Sequence, residues 1–99
     1  MTYVTATILQ AVASGYRYGF DIIDATGLPG GTVYPALRRL EDAGHLSASW
    51  ENERIARAEP RPPRRYYEMT RAGRDALAEA ARRYRLADQA PPAKARPRP

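Results

Sequence analysis

The sequence contains no cysteine, a single histidine and no long apolar segment. Without cysteine, the chain cannot form disulfides, thiolate metal sites or a cysteine nucleophile. Because one histidine cannot build the usual zinc site, we interpret His45 as structural and expect no metal and no cofactor. No apolar run approaches the roughly 20 residues of a membrane span, and the first residues lack the basic segment of a signal peptide. We therefore expect a cytoplasmic protein with no membrane partner.

A catalytic constellation is also missing. Asp21 and Asp24 lie three positions apart in a helical segment, but the sequence supplies no nucleophile or oxyanion-binding group beside them. We interpret both side chains as solvent-facing acids. The sequence therefore predicts a protein that is not an enzyme.

Lysine is nearly absent, because 15 of the 16 basic residues are arginine, and against 11 acidic residues they give a net charge of +5. The positive charge is unevenly distributed: residues 54–74 contain seven arginines and two glutamates, whereas residues 1–34 contain one arginine and two aspartates. Clustered cations favour a polyanionic partner such as nucleic acid. The alternative is a solvated surface or a disordered basic loop in a protein from an arginine-rich proteome.

The N-terminal half shows the apolar spacing of three helices. Apolar residues at i, i+4 and i+8 predict a first helix that ends before Gly15, and a short second helix is predicted from about Tyr18 to Thr26. A third helix begins between Gly30 and Thr32 and buries Val33, Leu37 and Leu40. Pro35 is expected in its first turn, where the missing N–H costs little, and Gly44 follows its C-terminus.

Two segments after the third helix alternate in polarity and predict an antiparallel strand pair. In "HLSASWE", Trp50 shares one face with Leu46 and Ala48, so we expect it to pack in the core. The partner strand is "RRYYEM", with Tyr67 and Met69 on one face. The intervening "NERIARAEPRPP" is interpreted as a long polar loop.

The C-terminal third predicts one more helix and a tail. Thr70 can cap a helix whose apolar stripe includes Leu77 and Tyr84, whereas residues 88–99 combine prolines with basic residues. We therefore divide the chain into a winged helix-turn-helix at residues 1–69, a dimerisation helix at 70–87 and a disordered basic, proline-rich tail at 88–99. The predicted fold class is mainly α with a small two-stranded antiparallel β-wing.

The start of the third helix and the arginine-rich loop are the candidate DNA-binding features. Glycines at a helix N-terminus let backbone amides approach a phosphate, and Thr32, Tyr34 and Arg38 follow on the side opposite the apolar stripe. Hydroxyl and guanidinium groups can bond phosphates or base edges. The alternative is an ordinary helix cap with an exposed tyrosine. Arg61 belongs to the basic cluster that lies between the strands.

The segments "GTVYPALRRLE" and "RRYYEMT", with "GFDI" before them, resemble the signature of the PadR family of bacterial transcriptional regulators across residues 8–78. The resemblance implies a homodimeric winged-helix repressor, located with the nucleoid in the cytoplasm, that binds an inverted-repeat operator in double-stranded DNA. It places the start of the recognition helix at Gly31, Thr32, Tyr34 and Pro35, and the wing strand at Arg64, Arg65 and Tyr66.

The same resemblance implies a dimer interface formed by the last and first helices, with Tyr3, Val4, Tyr84 and Leu86 as its candidates. It also allows for a small-molecule inducer, which the sequence does not identify. A function from a different class stays open: a winged helix that binds an acidic protein as an adaptor and has no specific DNA target.

Overall fold

The structure is a computed structural model that describes residues 1–85, and within them five helices accompany a two-stranded sheet. The helices are α1 (Tyr3–Ala13), α2 (Gly19–Thr26), α3 (Gly30–Asp42), α4 (Glu53–Ala58) and α5 (Arg71–Tyr84), and the strands are β1 (Leu46–Trp50) and β2 (Arg65–Met69). We call β1, β2 and the joining residues 51–64 the wing. The mainly α fold with an antiparallel two-stranded wing is confirmed.

The core lies where α1, α2 and α3 meet and where the start of the wing covers them. Its largest fully buried side chains include the three that the helical spacing of α3 predicts, and together they are Ile8, Leu9, Ile22, Val33, Leu37 and Leu40. The apolar stripes of the three helices thus converge, because each helix is hydrophobic on one side only. α5 packs on α1 through a smaller cluster around Ala6 and Ala80.

Local signals end and begin the helices as expected. Gly27 and Gly44 adopt positive φ at the ends of α2 and α3, a conformation that glycine reaches without a Cβ penalty. The Thr70 hydroxyl accepts the N–H of Gly73 at 3.0 Å and so caps α5. Gly73 lies against the backbone carbonyl of His45, where a Cβ would collide with the main chain. The close approach seats α5 beside the wing.

Within the wing, the strand register pairs Leu46 with Met69 and Trp50 with Arg65. The segment that joins the strands is not the loop predicted from the sequence, because it contains α4. Asn52 caps this helix by accepting the N–H of Arg54 at 2.7 Å, and the following residues are good helix formers. Six residues are too few to show a helical apolar period, so the sequence pattern did not indicate it.

Two burial predictions are wrong. Trp50 is 65% exposed, since burial falls along its face of β1 from Leu46 outward and the core helices cover only the first part of the strand. Asp21 was expected in solvent but is 9% exposed, because it lies on the side of α2 that faces the wing, beside a small cavity shared with Tyr18 and Tyr66. Asp24 is exposed as expected.

Two further predictions concern the end of the chain. The tail at residues 88–99 and the interface candidate Leu86 lie outside the described residues. Within residues 1–85, no helix is long and apolar enough to cross a membrane.

Candidate nucleic-acid interface

The start of α3 presents its backbone without a side-chain cap. Pro29 precedes the helix, and its carbonyl accepts the N–H groups of Thr32 and Val33 at 2.9 and 3.0 Å. A Cβ on Gly31 would meet no atom within 4 Å, so the main chain is open to a ligand on this side. An uncovered helix N-terminus favours negative charge such as a phosphate.

Pro35 is the sixth residue of α3 and therefore lies in its second turn, not in the first turn as predicted. In the regular pattern its N–H would bond the carbonyl of Gly31, and proline has no N–H to give. The helix therefore begins with one intrahelical bond fewer than its length implies.

Tyr34 is the most prominent side chain of the first turns, since half of it is exposed. Its ring lies directly over Gly19 at the start of α2, where any Cβ would overlap the ring atoms. Gly19 thus determines the direction in which the Tyr34 side chain points. Arg38 follows one turn later on the same exposed side.

The two arginines at the start of β2 are both held by aromatic rings. The Arg64 guanidinium carbon lies 4.2 Å from the centre of the Tyr18 ring, and that of Arg65 lies 5.2 Å from the centre of the Trp50 ring. Arg65 also donates to the carboxylate of Glu41 on α3 at 2.9 Å. Both side chains are half-buried at the surface. A guanidinium group that stacks on a ring still has N–H donors that can bind an outside ligand.

Arg61 is placed differently, because its guanidinium forms a two-pronged ion pair with Glu51. The hydrogen bonds and positive charge of Arg61, with help from the Arg64 backbone N–H and the Tyr66 hydroxyl, lower the pKa of Glu51 to about 2. Sequence reasoning placed Arg61 at DNA and missed Glu51 altogether. The sequence does contain a signal for the pair: Glu51 is the acidic residue that directly follows β1, and Arg61 lies between two prolines on the returning chain.

A groove of about 1140 Å³ separates α3 from the wing. Exposed aromatic side chains line it from both sides, with Phe20 and Tyr34 on the helical side and Trp50 on the wing. The guanidinium groups of Arg38, Arg64 and Arg65 lie along the same groove. The structure thus brings Tyr34 and Arg38 of α3 onto one surface with the arginines of the wing, and Glu41 and Asp42 also line the helical side. The other predicted residues, which are Gly31, Thr32, Pro35 and Tyr66, do not line this groove.

Comparison with known proteins identifies the family of this chain. The model of the transcriptional regulator PadR-like family matches residues 8–79. The chain belongs to this PadR-like family. The resemblance inferred from the sequence is therefore confirmed, and with it a role as a DNA-binding transcriptional regulator.

Solved structures agree with the assignment to the PadR-like family. A PadR family transcription regulator from Clostridium difficile R20291 has a TM-score of 0.73 and 25% sequence identity, over 89% of this chain and 93% of that one. A PadR family regulator from Eggerthella lenta DSM 2243 reaches 0.61 at 27% identity, over 84% and 76% of the two chains. A PadR-like transcription factor from Bacteroides fragilis reaches 0.63 at 26%, over 85% and 82%. A search of curated proteins finds no significant match.

In this PadR-like chain, the described interface candidates lie together where α1 begins and α5 ends. The rings of Tyr3 and Tyr84 meet edge to face with 5.4 Å between their centres, and the Tyr84 hydroxyl donates to the carbonyl of Met1 at 3.0 Å. Val4 is exposed beside them. An exposed apolar edge of this kind is available to a second subunit.

The backbone of His45 links two helices. Its backbone N–H donates to Leu40 at 2.9 Å and its carbonyl accepts the N–H of Thr70 at 3.1 Å, so it joins the end of α3 to the start of α5. Its Nδ1 atom is buried without a hydrogen-bond partner. Among residues 1–85, no group of three His, Cys, Asp or Glu side chains could hold a metal ion.

Proposed function

We propose that this PadR-like protein is a homodimeric repressor that recognises an inverted-repeat operator in double-stranded DNA and acts at the nucleoid in the cytoplasm. One observation carries the proposal: Tyr34 and Arg38 of α3 border the same groove as Arg64 and Arg65 of the wing. A recognition helix and a basic wing on one surface can contact adjacent grooves of a duplex. A small-molecule inducer of this repressor stays a prediction.

In the proposed complex, α3 enters the major groove. The open backbone at Gly31 approaches a phosphate, and the exposed Pro35 contacts the DNA beside Tyr34. Thr32, Tyr34 and Arg38 face base edges, where an arginine reads guanine through two hydrogen bonds. Specificity therefore resides mainly in the helix.

The wing contributes affinity in this proposal. Arg64, Arg65 and Tyr66 bind the backbone or the adjacent minor groove, and each phosphate contact releases counterions. Arg61 belongs to the proposed interface as part of the wing, although its guanidinium is bonded to Glu51. Binding is therefore expected to weaken steeply as the salt concentration rises.

The second subunit adds a second copy of this surface. Contacts through Tyr3, Val4 and Tyr84, with Leu86 beyond the described residues, would relate two recognition helices by a two-fold axis. Half-sites are then expected about one helical turn apart, near 34 Å. Light scattering on the full chain measures the dimer directly.

The deciding experiment selects bound fragments from a genomic DNA pool and compares them with random duplexes in gel shifts. An enriched inverted repeat supports the proposal, whereas equal binding to random DNA favours the adaptor function. Tyr34→Ala is expected to lose operator preference, and Tyr34→Phe separates the hydroxyl from the ring. Unchanged operator binding by Tyr34→Ala would contradict the proposed docking of α3.

A further inference from the structure

A buried carboxylate closes the outer end of the β1–β2 ladder. Glu51 directly follows β1, and its backbone N–H donates to the carbonyl of Arg64 at 2.7 Å, which extends the ladder one residue past the Trp50–Arg65 pair. Its side chain is only 5% exposed. A carboxylate buried to this extent needs hydrogen bonds and opposite charge to offset the loss of water.

Both oxygens of Glu51 have partners. Arg61 donates from Nη1 to Oε1 at 2.6 Å and from Nη2 to Oε2 at 2.9 Å, which is the two-pronged geometry that arginine forms with a carboxylate. The Tyr66 hydroxyl lies 3.1 Å from Oε2, and the backbone N–H of Arg64 lies 3.3 Å from Oε1. The four donors come from the returning side of the wing, so Glu51 fastens that side to the end of β1.

This closure determines where the next two arginines lie. The fastened segment includes Arg61 and the backbone of Arg64, and the side chains of Arg64 and Arg65 then reach the rings of Tyr18 and Trp50. Without the carboxylate, Arg65 would keep its ion pair with Glu41, but the chain that returns from α4 would lose the charged anchor that precedes Arg64. Arg64 and Arg65 would keep their charge, but the backbone that carries their side chains would be held less firmly.

We propose that Glu51 and Arg61 are positioning residues of the wing, whose ion pair holds Arg64 and Arg65 in the orientation that contacts DNA. Arg61 acts through Glu51 and not on a phosphate. The proposal rests on the proposed function, since it assigns the wing to DNA. It fits the general behaviour of buried ion pairs, which often add little net stability and favour one defined conformation in some proteins.

Glu51→Gln tests the proposal because electrostatic attraction and loss of positioning predict opposite changes in DNA affinity. The substitution raises the net charge by one, so electrostatic attraction alone predicts equal or tighter binding to a random-sequence duplex. Loss of positioning predicts the reverse, with affinity falling about tenfold because two wing contacts with phosphates are displaced. Glu53→Gln is the matched control: it makes the same charge change two residues away, at an exposed pair with Arg57.

Arg61→Lys provides a second variant in the full chain. Lysine keeps the positive charge but cannot form the two-pronged bond. Positioning predicts weaker duplex binding than in the wild type, whereas a direct phosphate contact by Arg61 predicts that lysine preserves affinity. If Glu51→Gln does not fold, the comparison of Arg61→Lys with the wild type, which has the same net charge, decides the matter.

Trp50 gives a measurement that needs no DNA. It is the only tryptophan, and the Arg65 guanidinium lies over one face of its ring. We expect Glu51→Gln and Arg61→Lys to increase quenching of its fluorescence by acrylamide, and Glu53→Gln to leave it unchanged. A wild type that fails to bind any duplex overturns the proposed function, while the Trp50 readout still tests positioning. Wild-type quenching and wild-type affinity in both variants would overturn the proposal.

Discussion

The start of α3 and the wing present their side chains to the groove by different means. On the helix, Tyr34 rests on the bare backbone of Gly19, so its direction follows from how α2 and α3 pack. On the wing, Arg64 and Arg65 rest on other side chains, and Arg65 is further tied to Glu41. The helix therefore depends on backbone geometry, whereas the wing depends on a network of side chains.

This difference suits the two tasks proposed for the two regions. Reading base edges requires a side chain fixed to within a fraction of an ångström, which a regular helix on a packed core provides. Binding phosphates tolerates more variation, because the charge acts over a Debye length of about 8 Å at physiological salt. The wing can thus use long arginines that need support from aromatic rings.

The largest expected effect comes from replacing one arginine in each region. Arg38→Ala should remove about 1–3 kcal/mol of discrimination between the operator and a site with one altered base pair. Arg65→Ala should weaken binding to all sequences alike and lower the slope of log affinity against log salt by about one. Gel shifts over a salt series measure both quantities.

The matched control for this pair is Arg82→Ala, which removes an exposed arginine of α5 that forms an ion pair with Glu79 at 2.7 Å. It should change neither the salt slope nor the discrimination. The distinction between the regions would fail if Arg38→Ala changed only the slope, or if Arg65→Ala altered the preferred sequence.

A smaller effect is expected from the support of Tyr34. Gly19→Ala places a Cβ where the tyrosine ring lies, and the half-exposed ring must swing away. Operator affinity should fall several-fold, up to about tenfold, whereas thermal stability should change little because the ring can move into solvent.

Gly30→Ala is the control, since its Cβ would make only ordinary contacts of 3.5 Å with the Tyr34 and Ile23 side chains. Operator binding by Gly19→Ala as tight as that of Gly30→Ala would show that the direction of the ring is unimportant.

Much of the helical framework could be predicted because its signals are local. Leu37 and Leu40 recur at helical spacing, and Thr70 stands where a cap is needed. The roles of these residues can therefore be predicted without knowledge of the fold. The exposure of Trp50 could not be predicted in this way. Alternation along β1 indicates which face a residue shares, but only the packed helices determine how far along the strand that face is covered.

The ion pair between Glu51 and Arg61 is another contact that local sequence signals could not predict. Arg61 and Glu51 are ten residues apart, and they meet because Glu51 extends the ladder opposite Arg64. That register depends on the whole wing, including α4, which the sequence pattern did not reveal. Charge counting alone therefore assigned Arg61 to DNA together with its neighbours.

The smallest expected effect is an acid dependence that belongs to the wing. Arg61, with support from the Arg64 backbone and the Tyr66 hydroxyl, lowers the pKa of Glu51 from 4.5 to about 2. A carboxyl group with a lowered pKa in the folded state contributes stability above its unfolded pKa and loses it as the pH falls. The contribution should therefore be complete above pH 4.5 and disappear between pH 4.5 and 2.

Urea unfolding of the wild type and Glu51→Gln across this pH range measures the contribution. The stability difference between the two proteins should be constant near neutral pH and shrink below pH 4.5, because glutamine does not titrate. Glu53→Gln, at an exposed pair, should run parallel to the wild type. A gap between wild type and Glu51→Gln that does not narrow in acid would mean that the Glu51–Arg61 ion pair does not form in solution. The support of Arg64 and Arg65 would then have to come from the aromatic rings and, for Arg65, from Glu41.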